Sequence, residues 1–406
     1  MQSPGSSGEV LGVPVLKVEH LAISPSGTGA RACDLQSNLY QFVVMSSAKR
    51  HIEESNALSD VTSKHNPDEP LLPAGAARTH EVIDETVKSD KLPTISALIC
   101  TCNRGASLVP TVRSILRPDS PCTEVVIIDQ SPGDETEAAL APFRDDPRLR
   151  YVRTTTRGVS IARNIALATA SCEICAFTDD DCEVDATWPL AHQQIFARFP
   201  QVALSYGSVL AVEHDYSKGL IPAYRVAQDR LCTSMREILV RGMSANMAVR
   251  REAALAIGGF DPELGPGSRF HACEDGDITV RCLLAGHHIY ETTASSVDHY
   301  GFRNWSQARA LMRVSCFGIG VSFIKPIKCG RREVIPLLFG ELWNHCVLPS
   351  LNATLHFKKK MGWGKTVSCL HGIVCGLRSP IDRARLVYLP APSKPADSAP
   401  LLGTST

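Results

Sequence analysis

The sequence predicts an α/β fold in which a doubly wound, mostly parallel sheet has helices on both faces, followed by a C-terminal helical region. Two patterns predict this class: short continuous apolar runs alternate with helical patterns, and several of these runs end in polar residues. The composition is that of a globular protein, because 44% of the 406 residues are hydrophobic and 21% are charged. We therefore expect a core large enough for an enzyme.

The alternation begins after Pro93. Strands are predicted where apolar residues run without interruption, and helices where apolar residues recur every three or four positions. The predicted strands are Ile95–Cys100, Val125–Ile128, Leu149–Val152 and Ile174–Phe177, and the helices between them are Val109–Leu116, Glu135–Phe143 and Ser160–Ala170. Continuous apolar strands of this kind are typical of a parallel sheet that is covered on both faces.

Charge divides the chain into parts, although the whole has 42 basic and 42 acidic residues. The α/β domain predicted at 93–302 has a net charge of −7, and the mainly helical region predicted at 303–390 has 14 basic and 3 acidic side chains, a net +11. Residues 1–92 show no sustained hydrophobic period and are expected to be an irregular extension, with 391–406 a disordered tail. The zero total excludes a protein that is basic throughout, such as a general nucleic-acid coat.

Neither the cysteines nor the N-terminal residues indicate an oxidising compartment. The fifteen cysteines are scattered, and no charged segment followed by an apolar run is visible at the start, so we expect reduced cysteines in a cytoplasmic protein. The pairs Cys100/Cys102 and Cys172/Cys175 have no second pair nearby and do not predict a zinc ribbon. The longest uncharged C-terminal stretch, Leu342–Phe357, has 16 residues, and no spanning helix is predicted because one needs about 20.

Polar residues follow three of the predicted strands, at the edge where open α/β sheets bind ligands. They are Asn103 and Arg104 after the first strand, Asp129 after the second, and Asp179-Asp180-Asp181 after the fourth. The loop after the first strand contains only Gly105 and neither glycine-rich phosphate-binding pattern, which excludes a Rossmann or P-loop site. Any phosphate must therefore be held without a glycine cradle.

The aspartate triplet at 179–181 is the clearest indication of chemistry. Adjacent carboxylates repel one another and raise each other's pKa unless a cation or hydrogen-bond donors neutralise them. Mg²⁺ or Mn²⁺, bound by one or two carboxylates together with substrate phosphates, suits such a site. A solvated acidic turn is the alternative interpretation.

A second acidic cluster, Glu274, Asp275 and Asp277, opens the apolar helix predicted at Ile278–Leu284. The helix dipole favours acidic residues in a first turn, so capping explains one or two of the three but not all of them. Downstream, His299 ends another short apolar stretch, where a neutral imidazole is either a metal ligand or a structural side chain.

The run from Ile95 to about Gly301 resembles the catalytic domain of family 2 glycosyltransferases, which have the GT-A fold. The order and spacing of seven segments make the resemblance specific over roughly half of the chain. The segments are SALICTCNR at 96–104, VVIIDQS at 125–131, GVSIARN at 158–164, AFTDDD at 176–181, SANMAVRR at 244–251, GGFD at 258–261 and EDGD at 274–277.

This resemblance implies a metal-dependent, inverting transfer of a sugar from a nucleoside-diphosphate sugar to an acceptor hydroxyl, in cell-surface glycan or polysaccharide synthesis. Asp275 corresponds to the family's catalytic base. The nucleotide-sugar-binding residues implied are Asn103, Arg104, Asp129, Arg163, Asp179, Asp180 and Glu274, and the metal ligands implied are Asp179, Asp181 and His299. Mg²⁺ or Mn²⁺ is the implied cofactor.

Within these sets, Asp129 is implied to accept a hydrogen bond from the nucleotide base, and Arg163 to help hold the diphosphate. Asp180 is implied to contact either the ribose or the metal. A UDP-sugar is the expected donor, but Cys102 stands where many relatives have an aromatic side chain that stacks on the base. This departure leaves the identity of the base open.

The basic C-terminal region, where a helix is predicted at Trp305–Cys316, leaves two interpretations open. Apolar stretches interleaved with basic residues such as Arg309, Arg313 and Lys358-Lys359-Lys360 suit a surface that faces anionic lipid headgroups. Ordinary packed helices with a solvated basic face are the alternative, and no RNA-binding motif predicts a nucleic-acid partner. The expected acceptor is a glycan, a lipid-linked compound or another hydroxyl compound, and contact with the cytoplasmic face of a membrane stays open.

Two other functions are compatible with parts of the sequence. A nucleotidyltransferase also needs paired carboxylates and a metal, but the acidic helix that follows Gly258-Gly259 argues against it. A non-catalytic scaffold would bind nucleotide or glycan without a base or a metal site. The presence of both acidic clusters disfavours that reading.

Overall fold

The computed structural model describes residues 92–235, 242–355 and 363–390. The predicted tail at 391–406 and nearly all of the predicted extension at 1–92 lie outside these residues. The described cysteines are all free, and most of them are buried. The strands and helices below are labelled in chain order.

Each strand and helix predicted between Ile95 and Phe177 is present, with small shifts at the ends. The strands are β1 (Ile95–Thr101), β2 (Glu124–Asp129), β3 (Leu149–Arg153), β4 (Ile174–Asp179), β5 (Cys182–Val184), β6 (Val202–Ala211), β7 (Gly219–Leu220), β8 (Arg230–Cys232), β9 (Met247–Arg250), β10 (His288–His299), β11 (Arg303–Asn304), β12 (Ile381–Asp382) and β13 (Val387–Tyr388). The α-helices are α1 (Val109–Ile115), α2 (Glu135–Ala139), α3 (Val159–Thr169), α4 (Trp188–Arg198), α5 (Arg251–Ala256), α6 (Glu274–Leu284), α7 (Trp305–Lys328), α8 (Ile335–Glu341), α9 (Leu348–Leu355) and α10 (Gly364–Arg378). A π-helix, Leu342–Val347, joins α8 to α9.

The main sheet has a parallel half and a mixed half. In the first half the strand order is β3-β2-β1-β4, and all neighbours are parallel, which confirms the doubly wound prediction. In the second half, β9 is antiparallel to β4 and β6, β10 is parallel to β6, and β5 is antiparallel to β10. The whole sheet is therefore mixed. The strand that reverses the direction, β9, has only four residues, too few for a sequence pattern to reveal it.

Helices cover both faces of this sheet, as predicted. Side chains of β1 alternate between the faces: Ile95, Ala97 and Ile99 pack with α1 and α4, whereas Leu98 packs with α3 and α6. These four side chains are fully buried. Burial on both faces requires apolar residues at consecutive positions, which is why the sequence of the strand is a continuous apolar run.

The helix α7 continues for three turns beyond the predicted end at Cys316. The prediction ended there because Gly318 and Gly320 disfavour a helix interior. In the structure a Cβ at Gly320 would lie 2.2 Å from the backbone oxygen of Cys369 in α10. The glycine therefore allows α7 and α10 to pack in close contact, and this packing outweighs the cost in helix propensity.

Two helical stretches are long and apolar enough to cross a membrane by length and composition. In Trp305–Lys328 the most apolar 18 residues have a mean hydropathy of 1.4, and 44% of them are buried. In Arg332–Leu351 the corresponding mean hydropathy is 1.2, and 33% of the residues are buried. Both exceed the 16-residue uncharged stretch on which the sequence expectation rested. Packed core helices meet the same criteria, so the expectation that no helix spans a membrane stays a prediction.

Candidate active site

A cavity of about 510 Å³ lies at the carboxyl ends of β1 and β4, between α6 and the C-terminal helices. Because parallel strands end at the same edge of a sheet, the loops after β1 and β4 meet at this place. Asn103 and Asp129 are not among the lining residues. The predicted site residues that do line the cavity are Arg104, Arg163, Asp179, Asp180, Asp181, Glu274, Asp275 and His299.

Two of the three aspartates after β4 are held by residues that follow β1 or end it. Asp180 accepts a hydrogen bond from Thr101 Oγ1 at 2.7 Å, and the Arg104 guanidinium lies 3.3 Å from Asp180 and 3.1 Å from Asp181. Burial raises the pKa of Asp180 to about 6, although Thr101 and Arg104 act in the opposite direction. The Arg104 side chain is 40% exposed and is therefore accessible to an anionic ligand in the cavity.

Arg163 of α3 is buried between the two acidic clusters. Its Nη1 lies 2.8 Å from Glu274 Oε1, and its Nη2 lies 2.8 Å from Ser244 Oγ and 3.5 Å from Asp179 Oδ1. The guanidinium carbon lies 5.5 Å from the centre of the Phe260 ring. With these partners Arg163 positions Glu274 and Asp179 in the cavity wall, and its implied contact with a diphosphate stays a prediction.

Asp275 lies in the first turn of α6, at the cavity. The chain enters this helix through Cys273, whose φ of 69° is left-handed. Asp275 Oδ1 accepts a hydrogen bond at 2.7 Å from the backbone N–H of Gly276, one of the groups that a helix start leaves without a helical partner. Burial and the adjacent charge of Glu274 raise the pKa of Asp275 to about 7. A carboxylate with this pKa can take up a proton near neutral pH.

Asp277, the third acid of this cluster, belongs to a buried ionic cluster made of Asp261, Asp277, Arg281 and Lys325. Its carboxylate lies 2.8 Å from Arg281 Nε and 2.7 Å from Lys325 Nζ, and Lys325 Nζ lies 2.5 Å from Asp261 Oδ2. Each of the four residues is at most 3% exposed. Side chains two positions apart on a helix point about 200° apart, so Asp277 cannot share the direction of Asp275. The buried ionic cluster joins α7 to the α/β domain.

His299 and Asp181 form the best-placed pair of metal-ligand groups among the described residues. His299 Nδ1 donates to the backbone oxygen of Pro222 at 2.7 Å, which leaves Nε2 directed at Asp181, 3.4 Å from Oδ1. Burial alone would lower the pKa of His299, but the hydrogen bond and charge of Asp181 raise it. Ligand atoms of these two residues and Cys182 lie within 4.8 Å of one another. Asp179, the other metal ligand implied by the resemblance, is not in this group.

Gly301 keeps space open in front of His299 and Asp181. A Cβ at this position would lie 2.4 Å from His299 Nε2 and 3.1 Å from Asp181 Oδ2. A carboxylate and an imidazole beside open space suit a divalent cation such as Mn²⁺, whereas the buried Cys182 thiol does not, because burial raises its pKa well above the ordinary value. The residues present therefore fit the metal that the sequence predicts. The sequence did not indicate Gly301, because the group that faces a glycine is decided by the fold.

Asp129 and Asn103 have structural partners outside the cavity. Asp129 is fully buried, and its carboxylate accepts hydrogen bonds from the Ser131 backbone N–H and hydroxyl and from the Tyr151 hydroxyl. Ser131 Oγ in turn accepts a hydrogen bond from the Asn103 backbone N–H at 2.8 Å. Asp129 therefore ties the loop after β2 to the loop after β1. Its carboxylate does not line the cavity, and its implied contact with a nucleotide base stays a prediction.

The C-terminal helices, among them α7, form one wall of the cavity. One face of α7 lines it, with residues spaced three or four positions apart. These residues are Trp305, Ala308, Leu311, Met312, Ser315, Cys316 and Ile319. Further along, the cavity is lined by Glu341, His345 and Lys365. The sequence prediction treated residues 303–390 as a separate region and missed this wall, because an apolar stripe on a helix is equally typical of a core contact.

Comparison with known proteins identifies similarity in the same part of the chain. Residues 96–255 match the model of the family described as glycosyl transferase family 2. The GalNAc(5)-diNAcBac-PP-undecaprenol beta-1,3-glucosyltransferase of Campylobacter jejuni is 29% identical over 96 residues, which are 23% of this chain and 31% of that relative. The matched stretch thus spans about a third of the relative's length.

Solved structures with partly similar folds include one that is named as a mannosyltransferase. A mannosyltransferase from Pyrobaculum calidifontis in complex with GDP-Man and Mn²⁺ is 17% identical, with a TM-score of 0.47 over 71% of this chain and 88% of that one. S. aureus TarS 1–349 is 15% identical, with a TM-score of 0.47 over 70% of this chain and 81% of that one. GalNAc-T7 with UDP, GalNAc and Mn²⁺ is 18% identical, with a TM-score of 0.43 over 57% of this chain and 48% of that one.

Proposed function

We propose that this protein, whose residues 96–255 match the model of glycosyl transferase family 2, transfers a sugar from a nucleoside-diphosphate sugar to an acceptor hydroxyl with inversion at the anomeric carbon. The observation that carries the proposal is that Asp275 lines the same cavity as Arg104 and the aspartates after β4. A proton acceptor and a site for a cation and a diphosphate thus face one space. Inverting glycosyl transfer from such a donor uses both.

The proposed reaction is a single displacement. The acceptor oxygen attacks the anomeric carbon and its proton passes to the Asp275 carboxylate. The bond between the anomeric carbon and the diphosphate oxygen breaks, and its electron pair leaves with the nucleoside diphosphate. Attack opposite the leaving group inverts the carbon. The raised pKa of Asp275 makes this carboxylate a stronger base than an ordinary aspartate.

We assign the diphosphate side of the cavity to Asp181, His299, Arg104 and Asp180. Asp181 and His299 would hold a divalent cation, which when bound neutralises charge on the departing diphosphate. The imidazole nitrogen favours Mn²⁺ over Mg²⁺, which prefers oxygen ligands. Arg104 is accessible enough to pair with phosphate oxygens, and we assign the ribose to Asp180, which lines the same cavity. A UDP-sugar is the donor that we propose first.

The acceptor is proposed to bind along α7. The stripe from Trp305 to Ile319 is mainly apolar, and Lys365 lines the cavity further along. The Campylobacter relative is named for an acceptor linked to undecaprenol through a diphosphate, which supports an acceptor with an apolar chain and an anionic group. We place the hydroxyl of such an acceptor at Asp275 and its chain along α7. This assignment puts the enzyme in cell-surface glycan synthesis, at the cytoplasmic face of a membrane.

Asp275→Asn tests the assignment of the base. The change keeps the shape of the side chain but removes its ability to take up a proton, so turnover should fall by roughly 10²- to 10⁴-fold. Nucleotide binding should survive, because the diphosphate side of the cavity is intact. The measurements are nucleoside diphosphate release from a panel of nucleotide sugars with Mn²⁺, and calorimetric binding of the nucleotide.

Asp119→Asn, which neutralises an exposed carboxylate after α1, is the matched control and should behave as wild type. Equal turnover of Asp275→Asn and wild type would exclude Asp275 as the base. Release of a sugar 1-phosphate instead of nucleoside diphosphate would identify a nucleotidyltransferase. Nucleotide binding with no turnover of any donor by the wild-type protein would favour a binding scaffold.

A further inference from the structure

The C-terminal helices expose most of the large apolar side chains that reach the surface. Among the described residues, fifteen large hydrophobic side chains are exposed, and eleven of them belong to residues 303–390. Single exposed apolar residues are ordinary on a soluble protein and need no explanation. A concentration in one region is informative, because a continuous exposed apolar surface normally has a partner.

On α10 these side chains form one stripe. Val367, Leu370, Val374 and Leu377 are spaced three, four and three positions apart, so they project from the same side of the helix. They are between 42% and 62% exposed. Thr366, Cys369, Gly372 and Gly376, buried in the same helix, form a different face, on which Gly372 contacts α7. The stripe therefore belongs to the outside of the helix pair.

A second stripe runs from α8 into the π-helix. Ile335, Phe339 and Trp343 are spaced four positions apart and are 44% to 64% exposed. The Phe339 and Trp343 rings are nearly parallel, at 8°, with centroids 6.3 Å apart. The π-helix packs on α10, where Thr366 Oγ1 donates to the backbone oxygen of Cys346 at 3.0 Å. The two stripes thus lie on helical segments that contact each other.

The charge around the stripes is positive. Residues 303–390 contain 14 basic and only 3 acidic side chains. Arg332 lies one helical turn before the stripe on α8, and Arg378 directly follows the stripe on α10; both are exposed. Neither arginine has a carboxylate within 4.0 Å among the described residues. An apolar surface with unpaired basic residues at its ends is complementary to a layer of anionic headgroups over hydrocarbon.

We propose that Ile335, Phe339, Trp343, Val367, Leu370, Val374 and Leu377, here called the apolar face, dock this protein on the surface of an anionic phospholipid bilayer. The apolar side chains enter the boundary between headgroups and acyl chains, where Trp and Phe are favoured, and the arginines remain among the headgroups. The helix α10 lies on the membrane rather than across it. Its 15 residues extend about 22 Å, less than the hydrocarbon thickness of about 30 Å.

This inference does not depend on the proposed reaction, since no residue of the apolar face lines the cavity. It does bear on the acceptor. Lys365, at the start of α10, and His345, in the π-helix, line the cavity, so the helices that carry the apolar face also form a cavity wall. Docking would hold that wall against the membrane, where a lipid-linked acceptor resides.

The test is co-sedimentation of the full chain with vesicles of phosphatidylcholine alone and of phosphatidylcholine mixed with phosphatidylserine, without donor or acceptor. We expect the wild-type protein to sediment with the anionic vesicles. Two variants remove the apolar face in parts: Phe339→Ser with Trp343→Ser, and Leu370→Ser with Val374→Ser. Each should lower vesicle binding by on the order of tenfold, because two large apolar side chains no longer enter the bilayer.

Leu255→Ser is the matched control, since Leu255 is an apolar side chain on α5 that is 41% exposed, and it should bind vesicles as wild type does. Arg332→Glu with Arg378→Glu should weaken binding to anionic vesicles only. All sites are exposed, and an unchanged thermal unfolding midpoint shows that each variant folds. Wild-type binding by both apolar variants, or no binding by the wild-type protein, would overturn the proposal. A concentration-dependent dimer that both apolar variants abolish would assign the face to a second copy of the chain instead.

Discussion

The α/β domain and the C-terminal helices distribute charge and apolar surface in opposite ways. Residues 93–302 have a net charge of −7, bury most of their described apolar side chains and gather carboxylates at one edge of the sheet. Residues 303–390 have a net charge of +11, and their helices expose two apolar stripes and bury Lys325 completely. The zero net charge of the chain is therefore a cancellation, because the −7 of residues 93–302 and the −4 of residues 1–92 offset the +11 of residues 303–390.

The structure also shows how these two oppositely charged regions are held together. The contact is not an attraction between an acidic and a basic surface. Lys325 of α7 is inserted between Asp261 and Asp277, and Arg281 completes a group in which two cations balance two carboxylates. A neutral and fully paired group of this kind can be buried, whereas any one of its charges alone cannot.

The largest effect is expected when this buried group is broken. Lys325→Met leaves two buried carboxylates with a single arginine, which should lower the free energy of unfolding by about 3 to 5 kcal/mol. Chemical denaturation measured by circular dichroism checks this value. Arg309→Met, at an exposed position of the same helix, is the control and should change stability little. A variant at position 325 as stable as wild type would show that the two regions are joined by other contacts.

Gly301→Ala should specifically impair the metal site. The added methyl group would lie 2.4 Å from His299 Nε2, so Mn²⁺-stimulated turnover should fall roughly 10- to 100-fold. Titration of turnover with Mn²⁺, together with Mn²⁺ binding followed by electron paramagnetic resonance, separates metal loss from unfolding. Gly340→Ala on α8 adds a methyl group to open space and should leave both signals unchanged. Normal Mn²⁺ binding by Gly301→Ala would place the metal elsewhere in the cavity.

The pH profile should reveal the acidic surroundings of Asp275. Its pKa is raised to about 7, so the basic form is lost as the pH falls through 7, and kcat/KM should decrease on that side. Glu274→Gln removes the neighbouring charge that raises the pKa of Asp275. The decrease of kcat/KM on the acid side of the pH profile should therefore move to lower pH by on the order of one unit. Glu252→Gln, at an exposed position, should not move it. If the acid-side decrease of kcat/KM is unchanged in Glu274→Gln, the group that titrates is not Asp275.

The smallest effect is expected at the start of α7. Asn304 accepts hydrogen bonds from the backbone N–H groups of Ser306 and Gln307, and the Gln307 side chain reaches back to Asn304. Asn304→Ala removes half of this capping box and should cost about 1 kcal/mol in the free energy of unfolding. Gln201→Ala, at an exposed amide in the α/β domain, is the control. A loss as large as that of Lys325→Met would mean that the cap, and not the buried ionic cluster, secures the C-terminal helices.

Several parts of the site could be predicted because they follow from the pattern of residue types along the sequence. The apolar runs that became β1 and β4 predict a sheet edge, and the aspartates after β4 predict a polar site there. The acidic first turn of α6 was equally visible. The acidic pattern alone could not separate Asp275 from Asp277, because both are acidic residues in one helical turn, and the family resemblance was needed to select Asp275. Their directions differ, and only the packing of α6 shows which one meets the cavity.

The sequence by itself determined the alternation of strands and helices, the gathering of carboxylates at strand ends, and the opposite charges of the two regions. These properties depend on residue type and local spacing, which a linear pattern contains. Only the tertiary structure decided that Asp129 is enclosed by Ser131 and Tyr151, that Gly301 leaves room at His299, and that α7 closes the cavity. These facts depend on contacts between segments far apart in the chain, such as Asp129 with Tyr151 and Gly301 with Asp181, so they are fixed by packing that no local pattern records.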